Sequence, residues 1–222
     1  MTLRTTLLAL LSWTALAHAE GELMVMSASL QVYNSQEQTI NVRNVGDAPL
    51  YLSISLLKVV NPGLEPERKV PLRQLDRPGI LASPDKLTLG PGQSRAISLR
   101  SLDEPAAEEL FRLYIVPVRS MQVEDAPQDK ISAPMSVAVG YGVLVRHMPL
   151  PAKQQSSWSH RCDAKGVTLE NTGTVRVVLS DVKVDGGSQK FNVALFPGVL
   201  QHFNGKRLSL VANAQPYILE CS

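Results

Sequence analysis

The sequence predicts an all-β protein of two immunoglobulin-like sandwiches joined by a short proline-containing linker, and three observations predict it. Apolar residues recur with a period of two in short runs. Turn formers such as Asn34-Ser35-Gln36, Gly46-Asp47-Ala48-Pro49, Asn61-Pro62-Gly63 and Gly90-Pro91-Gly92 cut those runs at intervals of roughly ten residues. The pattern breaks once in mid-chain, at His147 to Pro151, where Pro149 and Pro151 stiffen the backbone.

Taken in order, MTLRTTLLALLSWTALAHA offers one basic residue, Arg4, an apolar run from Leu7 to Leu16 and a small-x-small end at Ala17-His18-Ala19. This is a secretory signal over residues 1–19, with cleavage expected after Ala19. It is too short for a span, which needs about 20 apolar residues, and no later stretch approaches that length, so the exported chain should not insert in a membrane. The first domain, residues 20–148, opens with LMVMSASLQVY, a strand readable as broken near Ser27 to Ser29. TINVRNV and then LYLSISLLKVV, Leu50 to Val60, follow.

The charged, proline-rich stretch to Pro78 reads as a loop or irregular crossing. ILASPDKLTL carries a turn at Ser83-Pro84-Asp85, SRAISLRSL is a strand, and Asp103 to Glu109 could close one helical turn with its acids near the N-terminus. FRLYIVPVRSM is strand-like again, and Gln122 to Lys130 is a polar hairpin loop.

Next comes the longest alternation in the chain, ISAPMSVAVGYGVLVR, Ile131 to Arg146. Such a strand outruns the usual length of about five or six residues, and Pro134 marks its first half as an edge without one ladder partner. An apolar edge invites pairing with another chain. On pattern alone it fits equally a strand covering this chain's own core, or a homodimer edge.

That makes about seven strands by Arg146, the count of one sandwich. The second domain, residues 149–222, reads as GVTLEN, VRVVLSDVKV, FNVALFP, RLSLVA and PYILEC. Its core is small. Cys162 and Cys221, the two cysteines of the chain, most simply pair in an oxidising compartment, linking its first strand to its last. The alternative, a reactive thiol near His160, would need a third group to hold the base.

A net charge of +2 with interspersed signs carries no nucleic-acid footprint. His147, His160 and His202 are too scattered for a metal motif, so surface or linker roles are expected. Gly140-Tyr141-Gly142 lacks the third glycine of a nucleotide loop, no G-x-S-x-G elbow occurs, and the acids at 103–104 and 108–109 read as a solvated face. No enzyme activity, cofactor or metal is expected.

KVVNPG at Lys58 to Gly63, ASPDKLTLGPGQSRAISL at Ala82 to Leu99, EELFRLYIVPV at Glu108 to Val118 and SVAVGYGVLVRHMP at Ser136 to Pro149 together resemble the periplasmic chaperones of the chaperone–usher pilus pathway. The resemblance is closer to those serving class 5, CS1-like colonization-factor fimbriae. It implies donor-strand complementation: the last strand of the first domain fills the groove of a fimbrial subunit that lacks its own final strand, until an outer-membrane usher exchanges it. Ile131, Ala133, Met135 and Val137 would fill that groove, and the free protein could cover the same edge as a homodimer. The other class of reading is a structural or adhesive pilus component, and a third is an exported hydrolase.

The resemblance also implies two cations for the terminal carboxylate of the bound subunit, one on the first strand and one on the last. Those positions hold Leu30 and Gly142 here. Another cation should serve: Arg112 first, for its bidentate fork on the neighbouring strand, then Arg146, then Lys58. Each is equally readable as a solvated strand-edge cation.

Overall fold

The structure, a computed structural model, describes residues 21–118 and 139–221. The expected signal sequence and the groove-filling residues Ile131, Ala133, Met135 and Val137 lie outside the described residues. Among the described residues, ten strands precede the linker: β1 (Leu23–Val25), β2 (Ser29–Tyr33), β3 (Gln38–Asn44), β4 (Leu50–Val59), β5 (Lys69–Pro71), β6 (Ile80–Ser83), β7 (Lys86–Leu89), β8 (Ser94–Ser101), β9 (Glu109–Pro117) and β10 (Tyr141–Met148). They form two facing sheets, β1-β3-β8-β6 and β2-β10-β9-β4-β5, with β7 also on β4.

The alternation read from the sequence becomes the two faces of these sheets. On β4, Leu50, Leu52, Ile54 and Leu56 are buried while Tyr51 and Ser55 are exposed. Ile40, Ile97, Phe111, Leu113, Val143 and Val145 join them in one core between the sheets. The break near Ser27 is real and has a topological use. It lets β1 pair with β3 in one sheet and β2 run parallel to β10 in the other.

The stretch from Asp103 to Glu109 forms no helical turn. Its acids are engaged elsewhere: Glu104 accepts the Leu150 N–H at 3.1 Å and pairs with Lys153 at 2.7 Å, while Glu108 is buried. The supposed loop before Pro78 contains β5, which adds to the outer edge of β4.

After the linker come β11 (Trp158–Asp163), β12 (Gly166–Asn171), β13 (Val177–Val184), β14 (Phe191–Leu195), β15 (Gln201–Asn204), β16 (Arg207–Ala212) and β17 (Gln215–Glu220). They make a second sandwich from sheets β11-β12-β15 and β14-β13-β16-β17 around Leu169, Leu179, Leu195 and Leu208. Strands β11 and β15 carry too little apolar alternation to be read from sequence. Cys162 on β11 bonds Cys221, just past β17, with Cα atoms 5.5 Å apart. Closing a loop of 59 residues' separation stabilises by roughly 4 kcal/mol in the chain-entropy view, useful where a core is small.

The sandwiches meet through Val59 and Leu110 of the first and Phe196 of the second. Gly63 wedges into the same seam at φ +83°, and a Cβ there would lie 2.3 Å from the Ala194 carbonyl oxygen. Only glycine fits. Its own carbonyl accepts a hydrogen bond from Gln201 Nε2 at 3.2 Å.

Candidate functional site

Among the described residues, strand β10 is flanked on both sides only for part of its length. Strand β9 pairs with it from Tyr141 to His147, but β2 covers only Leu144 to Met148. Of the described strands, Tyr141, Gly142 and Val143 therefore have one neighbour and one open side, on the half of β10 that leads back toward residues 131–138. Val139, just before this open side, is 71 % exposed. Val143 and Val145 pack into the core of the first sandwich.

The outer face of this sheet, away from the core, carries a row of apolar and charged groups. Tyr51, Val116 and Val118 are exposed there. One register step nearer the linker, Gly142 lies opposite Tyr114 and Leu144 opposite Arg112. A Cβ at Gly142 would touch the Tyr114 ring at 3.4 Å, so the ring occupies the space a longer side chain would need. Leu30 stands opposite Val145 and packs on the core, so it faces away from this surface.

All three expected anchors are present as cations and all three hold a carboxylate of the chain itself. Arg112, on β9, grips Glu67 with both arms of its fork, Nε to Oε2 at 3.1 Å and Nη2 to Oε1 at 2.6 Å. That contact holds the Glu67 carboxyl below the usual range, against the opposing effect of burial, with Lys69 assisting at 3.5 Å. Lys69 Nζ in turn rests over the Tyr114 ring at 5.8 Å from its centroid.

Arg146 grips Glu108 in the same bidentate way, at 2.6 and 2.9 Å. Glu108 also accepts the Arg176 backbone N–H at 2.8 Å, and its own N–H donates to the Thr174 carbonyl at 2.7 Å. This carboxylate thus ties the two sandwiches together. The Arg176 side chain is pushed below its ordinary value by burial and by the Arg146 charge, against the pull of Glu108.

Lys58 pairs with Glu109 at 2.5 Å. It stands at the wall of a cleft of about 430 Å³ between the sandwiches, with Val59, Pro62, Glu109, Leu110 and Val199. Beneath, His147 is buried and not at the surface as expected. The Ser101 hydroxyl donates to the Asp103 carbonyl at 2.8 Å and also lies 2.8 Å from His147 Nε2. His147 Nδ1 is 3.5 Å from Glu109 Oε2. Burial opposes ionisation of Glu109, but hydrogen bonds from His147 and Lys58 outweigh it and the carboxyl lies below its ordinary value.

Sequence reasoning missed Glu67, Lys69, Glu108 and His147. A local reading made Glu108 part of a solvated acidic run, and nothing in the string pairs Glu67 with a residue 45 positions away. Among the described residues, no group of three or more His, Cys, Asp or Glu side chains could hold a metal ion. No helix among them is long and apolar enough to cross a membrane.

No protein-family model matches the chain. Two curated Escherichia coli proteins, each named as a fimbrial component, are similar in sequence. The one from CFA/I fimbriae is 29% identical over 166 residues, 74% of this chain and 68% of that protein. The one from CS1 fimbriae is 24% identical over 164 residues, 73% and 68% respectively. Among solved structures, the class 5 fimbriae chaperone CfaA superposes with a TM-score of 0.67 at 22% identity, over 90% of this chain and 99% of that one. A chain from a chaperone–tip adhesin complex of CFA/I fimbriae biogenesis gives 0.69 at 22%, over 90% and 98%. One from the CsuC–CsuE chaperone–tip adhesion subunit pre-assembly complex of Acinetobacter baumannii gives 0.58 at 14%, over 90% and 97%. The chain therefore has the two-sandwich fold of the chaperone–usher fimbrial chaperones, and the resemblance seen in its sequence holds at the level of the fold.

Proposed function

We propose that the chain is a periplasmic chaperone that binds fimbrial subunits by donor-strand complementation and delivers them to an outer-membrane usher, with no catalytic activity of its own. The observation that carries this reading is the half-open β10, whose side left uncovered by the described strands at Tyr141 to Val143 continues the alternation of residues 131–137. A client strand pairing along that side would meet backbone groups that no described strand satisfies. Ile131, Ala133, Met135 and Val137 would then enter the client's groove, the larger ones contributing about 1.5–3 kcal/mol each. Met135 suits pockets of differing shape.

Co-expression with a class 5 fimbrial subunit in a bacterial periplasm tests this. The subunit should co-purify with the parent chain, and Met135→Glu or Val137→Glu should fold with an unchanged melting temperature yet lose it. Equal retention by both variants sinks the reading. The names of the two curated relatives favour a second one, a structural pilus component. In that case the chain would itself polymerise with subunits into fibres instead of leaving them at the usher.

A further inference from the structure

We propose that His147 is a positioning residue, a polar pin on the inner face of β10 that fixes the register of this strand and so fixes which residues stand along its open side. The pin itself rests on the first sandwich alone; its use toward a client rests on the chaperone reading above.

Strand β10 carries an ambiguity that its apolar pattern resolves poorly. A shift of one residue would turn its buried face outward, but a shift of two preserves both faces. Slid two residues toward the linker, β10 would place Val143 where Val145 now packs and Gly140 where Gly142 now meets the Tyr114 ring. Tyr141 would enter the site of Val143, beside the open side. On the outer face the slide would take Arg146 off Glu108. On the inner face it would put Val145 in the site of His147.

That site is built for a histidine. The ring is buried and stands opposite Glu109 on β9, with Nδ1 3.5 Å from Oε2. Its Nε2 lies 2.8 Å from the Ser101 hydroxyl on β8, in the facing sheet. Phe111 meets the ring edge-on with centroids 6.3 Å apart. Gly79 passes close by at φ +62°, where a Cβ would stand 3.7 Å from His147 Cε1. One side chain thus ties β10 to a neighbour in its own sheet and to the opposite sheet.

Neither partner depends on that tie. Ser101 holds the Asp103 carbonyl at 2.8 Å, and Glu109 holds Lys58 at 2.5 Å. An apolar side chain at position 147 would orphan neither group. The histidine therefore selects among registers more than it stabilises, as a single buried polar residue does in a coiled coil.

The test traps the register with paired cysteines in a glutathione redox buffer, on the full processed chain, and counts the cross-links by mass spectrometry. Tyr114→Cys with Gly142→Cys reports the observed register, and Tyr114→Cys with Gly140→Cys reports the slid one. The ratio of the first to the second should fall about tenfold in a His147→Leu background, the scale of one buried hydrogen bond. The melting temperature of His147→Leu should stay close to the parent's. His147→Gln, which keeps a polar group for Ser101, should restore most of the ratio, and Ser101→Ala should lower it severalfold. A ratio unchanged in both His147→Leu and Ser101→Ala overturns the pin. So does a His147→Gln ratio as low as that of His147→Leu, which would make ring shape the cause, or failure of His147→Leu to fold, which would make the residue structural.

Co-purification of a class 5 fimbrial subunit separates the pin from the chaperone reading. The parent should retain the subunit, His147→Leu should retain severalfold less, and His147→Gln should recover it. If the cross-link ratio falls while His147→Leu retains the subunit as the parent does, the role toward a client is overturned and the chaperone reading stands. If the ratio falls and the parent retains no subunit, the pin is supported and the chaperone reading fails.

Discussion

Arg146 and Arg112 sit on adjacent strands of one sheet, and each holds a glutamate through two hydrogen bonds of similar length. Their surroundings differ. The Arg146 side chain is 12% exposed and Glu108 is fully enclosed, with the Arg176 N–H on its second oxygen. Arg112 is 29% exposed and Glu67 16%. A charge pair sealed from water is expensive to break, because whichever partner survives has no solvent to turn to. One that water can reach is inexpensive to open. The same chemistry therefore makes a sealed seam between sandwiches in one place and a water-accessible pair in the other.

The largest effect should come from breaking the sealed pair. Glu108→Ala leaves Arg146 without this carboxylate and the Arg176 N–H without its acceptor, and should cost about 3–5 kcal/mol in urea unfolding. A loss below about 1 kcal/mol, the scale of an exposed pair, would mean that water enters the seam and that the two forks do not differ. A double-mutant cycle on Arg146 and Glu108 should next return a coupling near the upper end of the ~0.5–3 kcal/mol range for contacting residues. The matching cycle on Arg112 and Glu67 should return a value near its lower end.

That contrast shows what one sequence can and cannot carry. Period-two alternation along Leu50 to Val59 and Val143 to Val145 is readable because each residue's face is a local property of the strand. The cysteine pair is readable because only two are present. Glu108 and Glu67 have no such local mark. Whether an acid is solvated or sealed depends on which distant cation folds onto it, here 38 and 45 positions away. His147 is misplaced by a local reading for the same reason: it follows the strand's inward parity, but Ser101 and Glu109 lie on other strands. Leu30 and Gly142 carry no charge, which turns attention to Arg112, yet the string does not disclose that Arg112 holds Glu67.

Lower in the order of effects is acidity. Glu67 and Glu109 both lie below the ordinary glutamate value in the folded chain. As pH falls through that ordinary value, the unfolded chain takes up protons before the folded one does. Stability from these contacts is therefore fully present above the unfolded-state value and is lost as pH falls toward the folded one. Urea midpoints between about pH 6 and pH 4 should decline, and Glu67→Gln should flatten part of that slope. An unchanged slope in the variant would remove Glu67 from the titrating set.

The smallest effect should be the stability cost of Glu67→Gln itself. Arg112 keeps access to water and Lys69 remains beside it, so the loss should not exceed about 1 kcal/mol, shrinking further as salt is added. This small number matters most to the comparison. If opening the Arg112 fork costs as much as opening the Arg146 fork, Glu67 is a second structural seam and the two forks do not differ. A cost of about 1 kcal/mol or less that shrinks with salt marks an exposed pair, and urea melts of the variant at low and high salt decide between the two.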